Sequence, residues 1–331
     1  WEIFEALFHN LHKDDRVVFD ITHAFRSIPM LALVVLRYAK VLKGVRLKKI
    51  LYGAFESLGP VHVVRELPLD NRNAPILDLT PFDRLLDWTV AIDRFLGAGD
   101  AGPAKEAAAV DVRAIPRHMK KLMDGIDTVQ EVAQVLEAVS KDMSTCRGPR
   151  IKDDIADLKA AISRLPEPSP LPAMNPLLHK LGEELAVFDG DSVRDGINAA
   201  RWCLDHNLIQ QGFTILQEFL KSHIATVVGV DPLIKEHREV VGQAVHQYFD
   251  NHKPPAGDNS DLRAQYLGFL NENPSFARIF RNLSQHRNDL NHAGFAPSSM
   301  PAKKFARNLA RILSEVEEFI SISTAPQNPE S

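Results

Sequence analysis

The sequence predicts an α/β unit followed by a helical middle and an all-α C-terminal domain. Three observations carry this expectation. A strand–helix–strand pattern occupies residues 16–53, strand signals stop after Thr80, and every periodic segment beyond it has helical spacing. Pro166, Pro168, Pro170, Pro172 and Pro176 fall within eleven residues, a density no helix interior tolerates, so they read as a linker or sharp boundary. The expected organisation is 1–96, 97–175 and 176–331.

Residues 1–12 (WEIFEALFHNLH) place apolar side chains at 1, 3, 4, 7, 8 and 11, which is helical spacing. Residues 16–22 (RVVFDIT) are β-branched and apolar, the pattern of a buried strand. After a short turn, Pro29 opens a helix that is apolar almost all round, runs to about Leu42 and is ended by Gly44. Residues 46–53 (RLKKILYG) read as the next strand, so the unit is βαβ with parallel strands and a right-handed crossover. Residues 61–67 (VHVVREL) read as extended, and 75–80 (PILDLT) as a final strand.

Helical segments are expected over 83–96, 103–124, 128–144 and 152–164. Beyond the prolines they follow over 176–187, 192–205, 208–228, 232–249, 261–271, 274–291 and 302–322, with a loop at 253–260 (KPPAGDNS). No internal repeat and no sustained heptad is present.

Composition narrows the function classes. The chain has 331 residues with a formal net charge of −4, which argues against a generic nucleic-acid coat. Its apolar fraction of 45% is enough for more than one core. Two cysteines, Cys146 and Cys203, exclude a disulfide scaffold and a four-cysteine zinc site; a reducing, cytoplasmic setting fits. No apolar run approaches the ~20 residues that span a bilayer, so no membrane partner is expected. Neither a dinucleotide glycine fingerprint nor a P-loop is present, and no helix-turn-helix with a basic recognition helix. The first residue is Trp1 rather than Met, so the expectation is that the chain is either processed or, the favoured reading, missing its N-terminal part.

In open parallel sheets ligands bind beyond the carboxyl ends of the strands. At that place stand Asp20, Thr22, His23, Phe25 and Arg26, all within one turn before a helix N-terminus. A helix N-terminus favours anions, Arg26 suits a bidentate phosphate contact, and Phe25 offers a stacking face. The bland alternative is that Asp20 and Thr22 cap the helix and Arg26 is solvated; residue types alone leave the two readings balanced.

The sharpest local signal is Arg287-Asn288-Asp289-Leu290-Asn291-His292, read as R-x-x-x-x-H at a helix end before Gly294 and Pro297. Five residues of ideal helix turn side chains ~140° apart. Arg287 and His292 therefore share a site only if the helix end distorts or a second copy supplies a facing pair. Arg287 and Asn291, four apart, lie on one face. RNA cleavage needs little more than a histidine to move a proton and a guanidinium to stabilise the phosphorane, and no metal when the 2′-OH is the nucleophile. The bland alternative is a polar C-cap at His292 and a surface ion pair at Arg287, and the pattern alone favours it. Residues 276–311 carry seven basic residues and one acid, so the mild total hides a basic strip of charge +6 around this motif.

Two resemblances set these residues in context. The stretch DITHAFRSIPMLALVVLRYAKVL, with Tyr52-Gly53-Ala54-Phe55-Glu56, Asp78-Leu79-Thr80-Pro81-Phe82, Leu86-Asp87-Trp88 and Gly99-Asp100, resembles the CARF domains of CRISPR-associated accessory proteins. The resemblance implies a Rossmann-like sensor domain that dimerises and binds cyclic oligoadenylate, with Asp20, Thr22, His23, Phe25 and Arg26 in the ligand loop. Ala24 departs from the family, where glycine is frequent. The family also begins with a strand and ligand loop that have no counterpart here, so about a hundred residues and half of the ligand pocket are expected to be absent.

The C-terminal domain resembles the HEPN ribonucleases, whose motif is Arg, a polar residue, then His four to six residues after the Arg; Arg287, Asn288 and His292 fit it. Residues 198–220 (NAARWCLDHNLIQQGFTILQEFL) look like the first long helix pair of HEPN domains attached to CARF sensors, including the Gln210-Gln211 turn. Region 97–175 matches less clearly. The family implies a homodimer in which two motifs line one cleft, with Arg287 orienting the scissile phosphate, His292 moving the proton, Asn288 supporting the motif and Asn291 as a further hydrogen-bond donor.

The resulting expectation is a defence ribonuclease of type III CRISPR systems. Cyclic oligoadenylate acts as its allosteric activator, single-stranded RNA is cut to 2′,3′-cyclic phosphate ends, and neither cofactor nor metal takes part. Two alternatives stand beside it: a non-cleaving signalling or RNA-binding module, and a sensor domain that also degrades its own ligand through His23 and Arg26.

Overall fold

The computed structural model describes residues 1–23, 27–114, 120–165, 172–190, 192–250, 260–295 and 297–324. The protein combines a small mixed sheet with a predominantly helical remainder. It divides into two compact units, Trp1–Asp87 and Trp88–Ser331.

The first unit begins with helix α1 (Glu2–His9), strand β1 (Arg16–Asp20), helix α2 (Ile28–Lys43) and strand β2 (Arg46–Gly53). β1 and β2 pair in parallel, as the strand–helix–strand pattern predicts, with an irregularity between Val17 and Val18. Helix α2 stops at Gly44, whose φ of 66° is left-handed; a Cβ there would also lie 2.8 Å from the Asp14 carboxylate, so glycine is required twice over. Leu36, Ala39 and Val45 form the buried centre, with Phe8, Leu11, Val17, Phe19 and Leu47 packed around them.

Residues 61–67 are not extended. They form a short helix, α3 (Val61–Glu66), opened by the extended residue Pro60. Only Val64 is buried in it, so one apolar residue per turn faces inward and the β-branched composition is overridden by position. Strand β3 (Ile76–Asp78) then pairs antiparallel with β2, giving the order β1-β2-β3. The next helix, α4 (Thr80–Ala98), starts in this unit, and its first turns hold α2 by ion pairs: Arg37 to Asp83 at 3.0 Å and to Asp87 at 2.5 Å, and Lys40 to Asp87 at 2.7 Å. Burial holds the Asp83 carboxyl above its ordinary value even against Arg37.

The second unit continues with α5 (Gly102–Ala114), α6 (Lys120–Ser144), α7 (Gly148–Ser163), α8 (Asn175–Glu184), α9 (Ser192–Asp205), α10 (Ile209–Val228), α11 (Lys235–Asp250), α12 (Ser260–Glu272), α13 (Pro274–Asn291) and α14 (Phe305–Thr324). The middle helices α5–α7 share this unit with the C-terminal helices. Residues 166–171 of the proline cluster lie outside the described residues. The core is built from α9, α10, α13 and α14, where Cys203, Phe213, Leu216, Phe280, Leu283, Leu309 and Leu313 are fully or almost fully buried. Gly212 is the point of closest approach: a Cβ there would lie 2.7 Å from Leu309 Cδ2 and 3.2 Å from the Ala200 carbonyl oxygen.

Candidate functional site

The helix α13 owes its position to an apolar face, Phe276, Ala277, Ile279, Phe280 and Leu283, which is buried, while its arginines 278 and 281 stay outside. That face draws the last turn of the helix against the start of α10, and this is where the motif residues stand. Arg287 is half-buried; Asn288, Asn291 and His292 are exposed.

The helix ends at Asn291. His292 is its C-cap, with its N–H donating to the Asn288 carbonyl at 2.9 Å, and the chain then turns left-handed at Ala293 (φ 51°) and Gly294 (φ 73°). The Asp289 side chain fixes the following loop by accepting the Met300 N–H at 2.8 Å. Asn291 is held from outside the motif: Gln210 Nε2 donates to its Oδ1 at 3.1 Å. Arg287 Nη1 donates to Asn288 Oδ1 over a long 3.4 Å, and its Nε is buried with no partner among the described residues. Among the described residues, no carboxylate pairs with Arg287 and no hydrogen bond joins it to His292. Within one chain the two motif ends thus do not close on each other by any hydrogen bond among the described residues.

His286 has a different role. Its ring meets Phe213 edge-on at 5.7 Å, and burial, assisted by Arg311 and opposed by Asp289, pushes its pKa below the ordinary histidine value. It is packing for the motif helix.

At the other end of the chain, Asp20 is the last residue of β1, and Thr22 and His23 come just after it; Phe25 and Arg26 lie outside the described residues. Asp20 and Thr22 do not cap α2. The Thr22 N–H donates to Asp20 Oδ1 at 2.8 Å, and Thr22 Oγ1 accepts the Gly53 N–H at 2.7 Å, which ties the carboxyl ends of the two parallel strands together. The Thr22 hydrogen bonds hold the Asp20 carboxyl below its ordinary value, opposed by slight desolvation and helped by His23. His23 is exposed. At the end of β2 the Tyr52 hydroxyl donates to Glu56, which raises the phenol pKa and lowers that of the acid.

No protein-family model matches the chain. It is similar to a CRISPR-associated protein. That relative, CRISPR-associated protein MJ1674 of Methanocaldococcus jannaschii, is 24% identical over 294 residues, which is 88% of this chain and 39% of that protein. The chain therefore spans about two-fifths of the length of the relative it matches. No helix among the described residues is long and apolar enough to cross a membrane, and no group of three His, Cys, Asp or Glu side chains among them stands ready to hold a metal.

Gln210 touches the candidate site in a way that spacing does not reveal. It is 81 positions from Asn291, and only the packing of α10 on α13 brings them together. Its neighbour Gln211 turns the other way, donating from Nε2 to the Ser144 carbonyl at 3.3 Å and accepting a long contact from Cys146 Sγ at 4.0 Å.

Proposed function

We propose that this protein is a CRISPR-associated defence ribonuclease that cuts single-stranded RNA at the end of α13, in a homodimer, under control of cyclic oligoadenylate bound beyond the ends of β1 and β2. The observation that carries this reading is the state of Arg287: a guanidinium with no carboxylate partner among the described residues, in a basic strip, at a solvent-open helix end beside Asn288, Asn291 and the exposed His292. An unpaired, half-buried cation is costly, and an anion is what it lacks. The name borne by the relative supports the defence context.

The chemistry follows from these groups. The ribose 2′-oxygen forms a bond to phosphorus as its proton leaves; the bond from phosphorus to the 5′-oxygen breaks, and that oxygen takes a proton. His292 moves the proton at one of these oxygens, and the facing His292 of a second copy serves the other. Arg287 stabilises the charge that grows on the phosphorane. The products are a 2′,3′-cyclic phosphate and a 5′-hydroxyl, and a metal is not needed because the nucleophile is internal. In the sensor, Asp20, Thr22, His23, Phe25 and Arg26 contact the adenylate ring, and its binding biases the dimer towards a closed cleft.

The test is cleavage of labelled single-stranded RNA in EDTA, with and without cyclic tetra- or hexa-adenylate, by the chain and by His292→Ala. RNA binding without any cut product under every activator would favour a non-cleaving module instead. Linear products from the cyclic ligand would add a ligand-degrading sensor.

A further inference from the structure

The turn between α6 and α7 stands against the candidate cleavage site. Gln211 fastens it by two contacts, its side chain to the Ser144 carbonyl at 3.3 Å and its own carbonyl to Cys146 Sγ at 4.0 Å. Gln210, the residue before, holds Asn291 of the motif helix at 3.1 Å. Two successive glutamines thus couple the turn to the end of α13. Cys146 is left-handed (φ 57°), a conformation that turns the chain sharply just before the exposed Arg147.

The charge of Arg287 also reaches the Cys146 sulfur: burial raises the thiol pKa, and Arg147 and Arg287 both oppose the rise. Arg150, one turn further, is neutralised by Asp142 at 3.2 Å. Among the described residues Arg147, like Arg287, has no ion-pair partner. Both arginines thus bring positive charge to the neighbourhood of the Cys146 sulfur, and a polyanionic backbone gains from two such charges.

We propose that Arg147 binds the RNA backbone at a phosphate neighbouring the one gripped by Arg287, so that the middle helices form one wall of the RNA site. This rests on the ribonuclease reading above. It assigns α6 and α7 a part in substrate binding. Arg147 is a binding residue and does not touch the reacting atoms.

The experiment measures single-stranded RNA affinity against salt by fluorescence anisotropy in the His292→Ala background, which prevents cutting. Arg147→Ala is expected to weaken binding about fourfold near physiological salt and to lower the slope of log K against log salt by about 0.7 for each arginine removed. Arg147→Lys is expected to restore most of it, and Lys180→Ala, a charge control paired with Glu184 on α8, to change nothing. Unchanged affinity and slope in Arg147→Ala, with binding lost in Arg287→Ala, overturns the role of Arg147 and leaves the ribonuclease reading standing. Failure of the parent to bind RNA, together with failure of the chain carrying His292 to cut it, overturns both.

Discussion

Gln210 donates a hydrogen bond from Nε2 to the side-chain oxygen of Asn291 at 3.1 Å, joining the first turn of α10 to the last turn of α13. The bond fixes which end of the Asn291 amide Gln210 takes, its oxygen, and leaves its N–H groups as the donor end. Gln210→Ala should slow single-turnover RNA cleavage about fivefold, the equivalent of about 1 kcal/mol. Asn291→Ala should cost as much or more, and the double variant no more than Asn291→Ala alone. Additive losses would show that the two side chains act separately.

His292→Ala should lower the cleavage rate by roughly 100- to 10,000-fold, the range of a lost general acid or base. Arg287→Ala should lower it by about 100-fold or more through lost charge stabilisation. The His292 side chain is exposed and makes no hydrogen bond among the described residues, so the melting temperature of His292→Ala should match that of the parent. Rapid-quench kinetics and a thermal melt on the same preparations check both halves.

The parallel β1–β2 pair, the proline-opened α2 and its stop at Gly44 were legible because each depends on local chemistry: strand patterning, the fixed φ of proline and the left-handed freedom of glycine. The segment 61–67 was misread for the same reason. Val61, Val63 and Val64 suggest a strand, yet only Val64 is buried, and a short helix after Pro60 satisfies it. The R-x-x-x-x-H motif was legible as six adjacent residues. The contribution of Gln210, Gln211 and the α6–α7 turn was not, because contacts over 65 to 81 positions arise from helix packing and leave no periodic trace. For Asp20 and Thr22, residue types suggested either a cap or a ligand contact, whereas Thr22 bonds the Gly53 N–H on the neighbouring strand.

Gly212 lets α10 approach α9 and α14 closely. Gly212→Ala places a Cβ 3.2 Å from a backbone oxygen of α9, which cannot yield as a side chain can. Despite the better helix propensity of alanine, the variant should lose about 1–3 kcal/mol, read by urea denaturation. A stabilised variant would mean that the helices separate freely at this crossing.

Asp154 should make stability pH-dependent. Burial first, then its hydrogen bond with Asp142 and the charge of that residue, push its pKa up to about 6, opposed by Arg150. Its folded pKa lies above the unfolded one, so the protonated form is favoured by folding. Stability from this pair therefore rises as pH falls from about 6 towards the ordinary carboxyl value, and is lowest above 6. Asp154→Asn should melt roughly 2–3 °C higher than the parent at about pH 7.5, keep about half of that advantage at about pH 5, and lose it near the ordinary carboxyl value of about 4. Parallel melting curves across that window would contradict the assignment.

Cleavage of single-stranded RNA in EDTA, by the chain and by His292→Ala, with and without cyclic tetra- and hexa-adenylate, tests the central claim most directly. The account predicts cut RNA ending in 2′,3′-cyclic phosphate, more of it with one of the cyclic ligands, and none above background from His292→Ala. Equal cleavage by the His292→Ala variant, or cleavage that requires an added divalent metal, would contradict it.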